Sequence, residues 1–148
     1  MIIQIQPWIN WLEIKEAFKV LRSTFITEGK ATHKFEQKTL ELTGSKYAMA
    51  YANGTVALYA ALKALNIGYG DEVIIPNLTF IATANAIIMA GAKPVFCEVD
   101  KDDLGISPKK IIPLINKNTK AIMPVHLYGY SCKMDEILQI SKDHNLKI

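Results

Sequence analysis

The sequence predicts an α/β fold, a mostly parallel sheet with helices on both faces, preceded by N-terminal helices. Short apolar runs recur at residues 46–50, 72–75, 94–99, 120–125 and from 146 onward, each about one βαβ unit from the next. Two of them, Val73-Ile74-Ile75 and Ala121-Ile122-Met123, are apolar throughout instead of alternating, as in strands covered on both faces. The stretches between the runs are long enough for crossover helices, which parallel pairing requires.

Two helices come first, at residues 8–25 and 32–42. The first has Ile14, Ala17, Phe18 and Leu21 on one face. A strand at 46–50 then leads through Gly54 into a helix at 55–65. Gly68-Tyr69-Gly70 is a turn and not a dinucleotide loop, because a strand comes after it where a helix would be needed. The strand at 72–75 is succeeded by a helix at 80–90, and the strand at 94–99 by a helix at 108–115. Ser107-Pro108 marks the start of the latter, with a capping hydroxyl and a proline at the first helical position. The strand at 120–125 precedes a last helix at 134–144, and Asn145-Leu146-Lys147-Ile148 reads as a turn and the first step of another buried strand. That ending suggests a fragment.

Composition narrows the function. With 148 residues the chain can build one core, and 50% hydrophobic with 21% charged residues is ordinary for a globular domain. A net charge of +3 with scattered lysines gives no basic patch, which argues against nucleic acid. Arg22 is the only arginine among 17 basic residues, so bidentate grip on a phosphate must come from backbone amides or from elsewhere. Cys97 and Cys132 lack metal-ligand spacing, so no zinc site and reduced thiols are expected, with Cys97 a small core residue of its strand. Asp100, Asp102 and Asp103 lack the other ligands of a calcium loop and read as a solvated turn. No metal site is expected. Residues 1–7 lack a basic leader and a long apolar core, and no run has transmembrane length. A cytoplasmic location is the resulting expectation.

Three positions fall just past the carboxyl ends of strands, the place where ligands collect in such sheets. Gly54 and Thr55 open the helix after the first strand. First-turn amides have no helical partner and the helix dipole adds partial positive charge, so a phosphate there meets several donors. Gly54 would allow close approach and tolerate positive φ, and Thr55 could add a hydroxyl. Phe80 lies in the connection after the second strand, and His126 comes directly after the fourth. From residue pattern alone, a plain connection at Gly54 and a core aromatic at Phe80 remain open, as does a local hydrogen-bonding role for His126, Thr83 and Asn85.

Ordered blocks along nearly the whole chain resemble the PLP-dependent nucleotide-sugar aminotransferases of the DegT family. They include Thr27-Glu28-Gly29, Phe35-Glu36, Asn53-Gly54-Thr55 with Ala57-Leu58, and Gly70-Asp71-Glu72-Val73-Ile74-Ile75-Pro76. Further blocks are Leu78-Thr79-Phe80-Ile81-Ala82-Thr83-Ala84-Asn85, Gly91-Ala92-Lys93-Pro94, Met123-Pro124-Val125-His126-Leu127-Tyr128-Gly129 and Met134-Asp135-Glu136. Lys30 stands where members usually have proline, and Asn53 where many have serine. Asn-Gly-Thr is similar to the branch that makes perosamine-type 4-amino-4,6-dideoxy sugars.

The resemblance implies a partial large domain of a fold type I PLP-dependent transferase, with residues 1–45 as an N-terminal helical segment and 46–148 as the truncated cofactor-binding domain. It implies pyridoxal 5'-phosphate as cofactor, with Gly54 and Thr55 at the phosphate, Phe80 stacked on the pyridine ring and His126 near cofactor or substrate. The partners implied are a nucleotide-linked keto-sugar, an amino donor such as glutamate, and a second copy in a homodimer of the complete protein. The lysine that forms the Schiff base lies beyond residue 148 in the family pattern, so no catalytic residue is assigned here and the fragment is expected to be inactive alone. Two alternatives stay open: a PLP- or PMP-dependent sugar dehydratase of the same family, and a non-catalytic remnant serving as a binding module.

Overall fold

The computed structural model describes residues 6–148, so residues 1–5, part of the segment read as lacking a leader, lie outside the described residues. The chain forms two compact units, Met1–Ala50 and Tyr51–Ile148.

The N-terminal unit holds α1 (Trp11–Arg22) and α2 (Lys30–Thr43). A reciprocal capping box starts α1: the Asn10 side chain accepts from the Leu12 amide, and the Glu13 carboxylate accepts from the Asn10 amide, both at 2.7 Å. Helix α2 ends at Gly44, whose φ of 67° is the left-handed closure that glycine adopts without a Cβ clash. Neither helix buries a residue. The predicted strand at 46–50 does not form. None of the described residues pairs with it, and Tyr47 and Met49 are exposed. Apolar composition favours a strand only when a ladder partner takes up its amides; here the Ala50 amide donates to the Glu36 carboxylate instead, at 2.9 Å.

The C-terminal unit contains α3 (Gly54–Ala64), β1 (Glu72–Pro76), α4 (Ala82–Met89), β2 (Lys93–Cys97), α5 (Pro108–Ile111), β3 (Thr119–Ile122) and α6 (Met134–Asp143). The strands make one parallel sheet in the order β2-β1-β3. The predicted last strand is present only as its first step: Lys147 forms a parallel bridge with Ala121, donating to the Lys120 carbonyl while its own carbonyl accepts from Ile122.

The central position of β1 explains its sequence. Val73, Ile74 and Ile75 are wholly buried, with Val73 and Ile75 on one face against Leu62 of α3 and Ala84, Ala86 and Ile87 of α4. Ile74 points the other way, into a second core with Ile111 of α5 and Ile137 and Ile140 of α6. A strand buried on both faces cannot alternate, which is why its run is apolar throughout. Cys97 belongs to that second core, and burial pushes its thiol up to about 11. Helix α5 is shorter than predicted because Pro113 has no amide to continue it, and the chain tightens into a 3-10 turn at Ile112–Leu114. The Ser107 hydroxyl does not cap α5. It helps, after Lys133, to hold the Asp100 carboxyl below the usual carboxylate range.

Candidate cofactor-binding edge

Helix α3 and strand β1 are joined by the turn at residues 65–71, where Gly70 takes a φ of 86° and the Gly68 amide donates to Asp71 at 3.0 Å. Beyond that turn, Leu58, Tyr59 and Leu62 of α3 pack on the core that holds Val73 and Ile75 of β1. The parallel strands end together at one edge of the sheet. Phe80 comes after β1 and His126 after β3, the parallel neighbour of β1, so both leave the sheet at that same edge. Topology thus brings Phe80 and His126 to one edge, while Gly54 and Thr55 open the helix that precedes β1.

At the start of α3, Asn53 is the N-cap, its side chain accepting from the Val56 amide at 3.0 Å and its carbonyl from Ala57 at 3.1 Å. This takes two first-turn donors and leaves the amides of Gly54 and Thr55 without a protein acceptor among the described residues. The capping role of Asn53 was legible as an Asn immediately before a helical run, a signal the motif reading passed over. Gly54 needs a correction. It is the first residue of the helix and has no positive φ, so conformational freedom is not what glycine supplies here. A Cβ built on Gly54 meets nothing within 4 Å; its surroundings are open, and glycine leaves the two free amides uncovered.

Phe80 lies one residue ahead of the N-cap of α4 and not inside a helix, and its ring is 75% exposed at the edge. A core role is therefore excluded for this aromatic within the described residues. The Phe80 carbonyl accepts from the Thr83 amide at 3.1 Å, and the Thr79 and Thr83 hydroxyls hydrogen-bond at 2.9 Å, fastening the loop that carries the ring to buried Thr83. Thr83 thus has a local partner. Asn85 is exposed on α4.

His126 has the local contact that sequence pattern left open. Its Nδ1 accepts from the Cys132 amide at 3.1 Å, and the Cys132 thiol approaches the Val125 carbonyl at 3.1 Å. Between them, Tyr128 takes a left-handed backbone, φ 53° and ψ 21°, which nothing in the residue pattern announced.

The acidic turn makes local bonds: Asp103 accepts from the Gly105 amide at 2.8 Å, and Asp100 from Lys133 at 2.6 Å. No group of three metal-ligating side chains occurs among the described residues, and no helix there is long and apolar enough to cross a membrane. A cavity of about 810 Å3 lies elsewhere, lined by side chains between residues 16 and 34 of the N-terminal unit.

The family model for the DegT/DnrJ/EryC1/StrS aminotransferases matches residues 8–148. The chain belongs to this family. It is 44% identical over 140 residues to the spore coat polysaccharide biosynthesis protein SpsC of Bacillus subtilis, covering 95% of this chain and 36% of that protein. It is 42% identical over 143 residues to GDP-perosamine synthase of Caulobacter vibrioides, covering 96% and 38%. The crystal structure of an aminotransferase from Psychrobacter cryohalolentis superposes with a TM-score of 0.88 at 41% identity, over 95% of this chain and 37% of that one. The chain therefore spans somewhat over a third of the length of these family members. The family is PLP-dependent, and structural neighbours have been solved in PLP and PMP forms.

Proposed function

We propose that this chain is the phosphate-binding and ring-stacking portion of an enzyme that transfers an amino group, with glutamate as donor, to a keto-deoxy nucleotide sugar for polysaccharide or related amino-sugar synthesis. The observation that carries the reading is the pair of unpartnered amides at Gly54 and Thr55, with open space around Gly54, together with an exposed aromatic just past β1.

The residues present fit the cofactor. The α3 N-terminus offers Gly54 N–H, Thr55 N–H and the Thr55 hydroxyl to a phosphate dianion, with the helix dipole in the favourable sense. Phe80 offers a flat apolar face to the pyridine ring, worth about 0.5–1.5 kcal/mol beyond its burial. His126 offers a ring nitrogen at the same edge. When bound, PLP acts as an electron sink for the amino-group carbon, and the protein supplies placement and electrostatics. The similarity to GDP-perosamine synthase supports a nucleotide-linked sugar as the acceptor. In the complete protein the site is completed by the lysine that holds the cofactor covalently, outside these residues, and by a second copy in a homodimer.

The test uses two cofactor forms. PLP and pyridoxal, which lacks the phosphate, are titrated against the chain by absorbance and calorimetry. Thr55→Val is expected to weaken PLP by about tenfold or more, the loss of one hydrogen bond to a charged group, and to leave pyridoxal unchanged. Phe80→Leu is expected to weaken both forms alike by a few-fold, since burial is largely kept and only the aromatic contact goes. Intact PLP binding in Thr55→Val with abolished binding in Phe80→Leu would remove the helix N-terminus from the phosphate site. With glutamate and a keto-sugar nucleotide the chain alone is expected to show no turnover; turnover above a protein-free control would show that a lysine within residues 1–148 serves.

A further inference from the structure

The loop after β3 stores backbone strain and is closed by two side-chain contacts, His126 with the Cys132 amide and the Cys132 thiol with the Val125 carbonyl. Tyr128 and Gly129 are consecutive left-handed residues, with φ of 53° and 85°. Glycine occupies that region freely, but a tyrosine there costs about 1 kcal/mol or more and persists only where its surroundings over-determine it. The Tyr128 side chain does not repay that cost by burial, being 73% exposed. The constraint comes from the loop ends. His126 Nδ1 accepts from the Cys132 amide, the Cys132 thiol approaches the Val125 carbonyl, and inside this closure the Gly129 amide donates to the His126 carbonyl at 3.2 Å and the Tyr130 amide to the Leu127 carbonyl at 3.1 Å. Cys132 is itself anchored in the second core, and a Cβ at Gly105 would come within 3.0 Å of its sulfur, so the receiving end of the clasp is rigid.

This geometry also decides the form of the imidazole. An amide N–H pointing at Nδ1 makes that nitrogen the acceptor, which leaves Nε2 as the nitrogen that carries a proton. Nε2 makes no hydrogen bond to another described residue, and His126 is exposed.

We propose that His126 is a positioning residue: through Nδ1 it clasps the 126–132 loop, holds exposed Tyr128 in its left-handed conformation just past β3, and keeps Nε2–H as a donor that no described residue occupies. That this edge of the sheet takes a ligand rests on the proposed function above. The clasp does not, and it is read without cofactor.

Asparagine and glutamine separate the two nitrogens. The Asn side-chain oxygen can occupy the place of Nδ1, whereas Gln reaches the place of Nε2 and leaves the Nδ1 position empty. Amide hydrogen exchange and backbone carbon shifts are measured by NMR on the 148-residue chain, with long-range proton-nitrogen correlation of the His126 ring. In the native chain the ring is expected as an unaveraged Nε2–H tautomer, with a protected Cys132 amide and left-handed shifts at Tyr128. His126→Asn should retain both backbone signatures. His126→Gln should speed exchange of the Cys132 amide by about tenfold, the loss of one hydrogen bond, and return Tyr128 to ordinary shifts. Equal behaviour of the two variants, a proton found on Nδ1, or left-handed shifts at Tyr128 that survive His126→Gln would each overturn the proposal. Unchanged shifts of Ile137 and Ile140 verify that α6 is folded in both variants; if both lose those shifts, Tyr128→Gly in the native background decides. Relief of strain there should slow exchange of the Cys132 amide, and faster exchange would count against the clasp.

Discussion

In the N-terminal unit two helices of 12 and 14 residues bury nothing, whereas in the C-terminal unit a five-residue strand has its four last residues buried. The shorter element is the more firmly held. Helix α1 rests on local devices, the Asn10–Glu13 capping box and Lys19 and Arg22 in its last turn, while Trp11, Ile14, Phe18 and Leu21 along one side remain exposed. Isolated helices of this length are marginal in water, since one nucleus must be repaid by few hydrogen bonds. Strand β1 is only five residues long but is gripped by two ladders and two cores. Capping decides where a helix starts; packing decides whether an element is stable.

The largest test of this contrast is a matched pair of truncations. Ile87→Ala in α4 or Ile137→Ala in α6 removes a wholly buried side chain from one of the two cores and is expected to destabilise the C-terminal unit by about 2–5 kcal/mol. Leu21→Ala in α1, where the side chain is 66% exposed, should change stability by about 0.5 kcal/mol or less. Urea unfolding followed by far-UV circular dichroism checks both. A Leu21→Ala loss as large as that of Ile87→Ala would mean that the apolar side of α1 is covered in solution.

Caps should reverse the ranking between the units. Asn53→Ala removes the acceptor for the Val56 amide, and Asn10→Ala the acceptor for the Leu12 amide, each worth about 0.5–2 kcal/mol. Because α3 packs Leu62 against α4, its helix should survive Asn53→Ala with a lower unfolding midpoint. Helix α1 has no such support, so Asn10→Ala should appear as lost helical signal and faster amide exchange across residues 11–22, with the main unfolding transition unchanged. Loss of helix in both variants alike would erase the distinction.

Legibility in the sequence divides along the same line. The parallel α/β class and the covered strands at Val73-Ile74-Ile75 and Ala121-Ile122 were readable because hydrophobic runs report burial directly. The run at 46–50 misled because apolar character speaks for burial but not for a ladder partner. Ser107 misled because a hydroxyl before a proline has two uses, and Asp100 claimed it over the helix amides. Gly54 was read for close approach and for freedom of φ, and only the second is overturned, since it has no positive φ. The strain at Tyr128 left no mark, since it depends on a bond between His126 and Cys132 that only the folded loop brings together.

The smallest expected effect is electrostatic, and it lies in the carboxyls that fasten the C-terminal unit. Glu72 is held below the usual carboxylate range first by the Asn116 amide, which donates at 2.7 Å, and then by Lys93 at 2.9 Å. Asp100 is held low first by Lys133 and then by Ser107. Both carboxyls therefore bind protons less readily folded than unfolded. Their stabilising contribution is fully present above the unfolded carboxylate range, about pH 4, and is lost as pH falls through their lower folded values. In Glu72→Gln and Asp100→Asn the C-terminal unit should be slightly less stable at neutral pH than the native chain, and its stability should fall less steeply below about pH 4, so the difference from native narrows on acidification. Chemical unfolding at several pH values reads this directly. Lys93 is largely and Lys133 partly exposed, so each effect is screened and should shrink in high salt. A native-to-variant difference that widens as pH falls would mean that these carboxyls are raised in the folded unit, and that Lys93, Asn116 and Lys133 do not hold the ends of β1 and α6 as described.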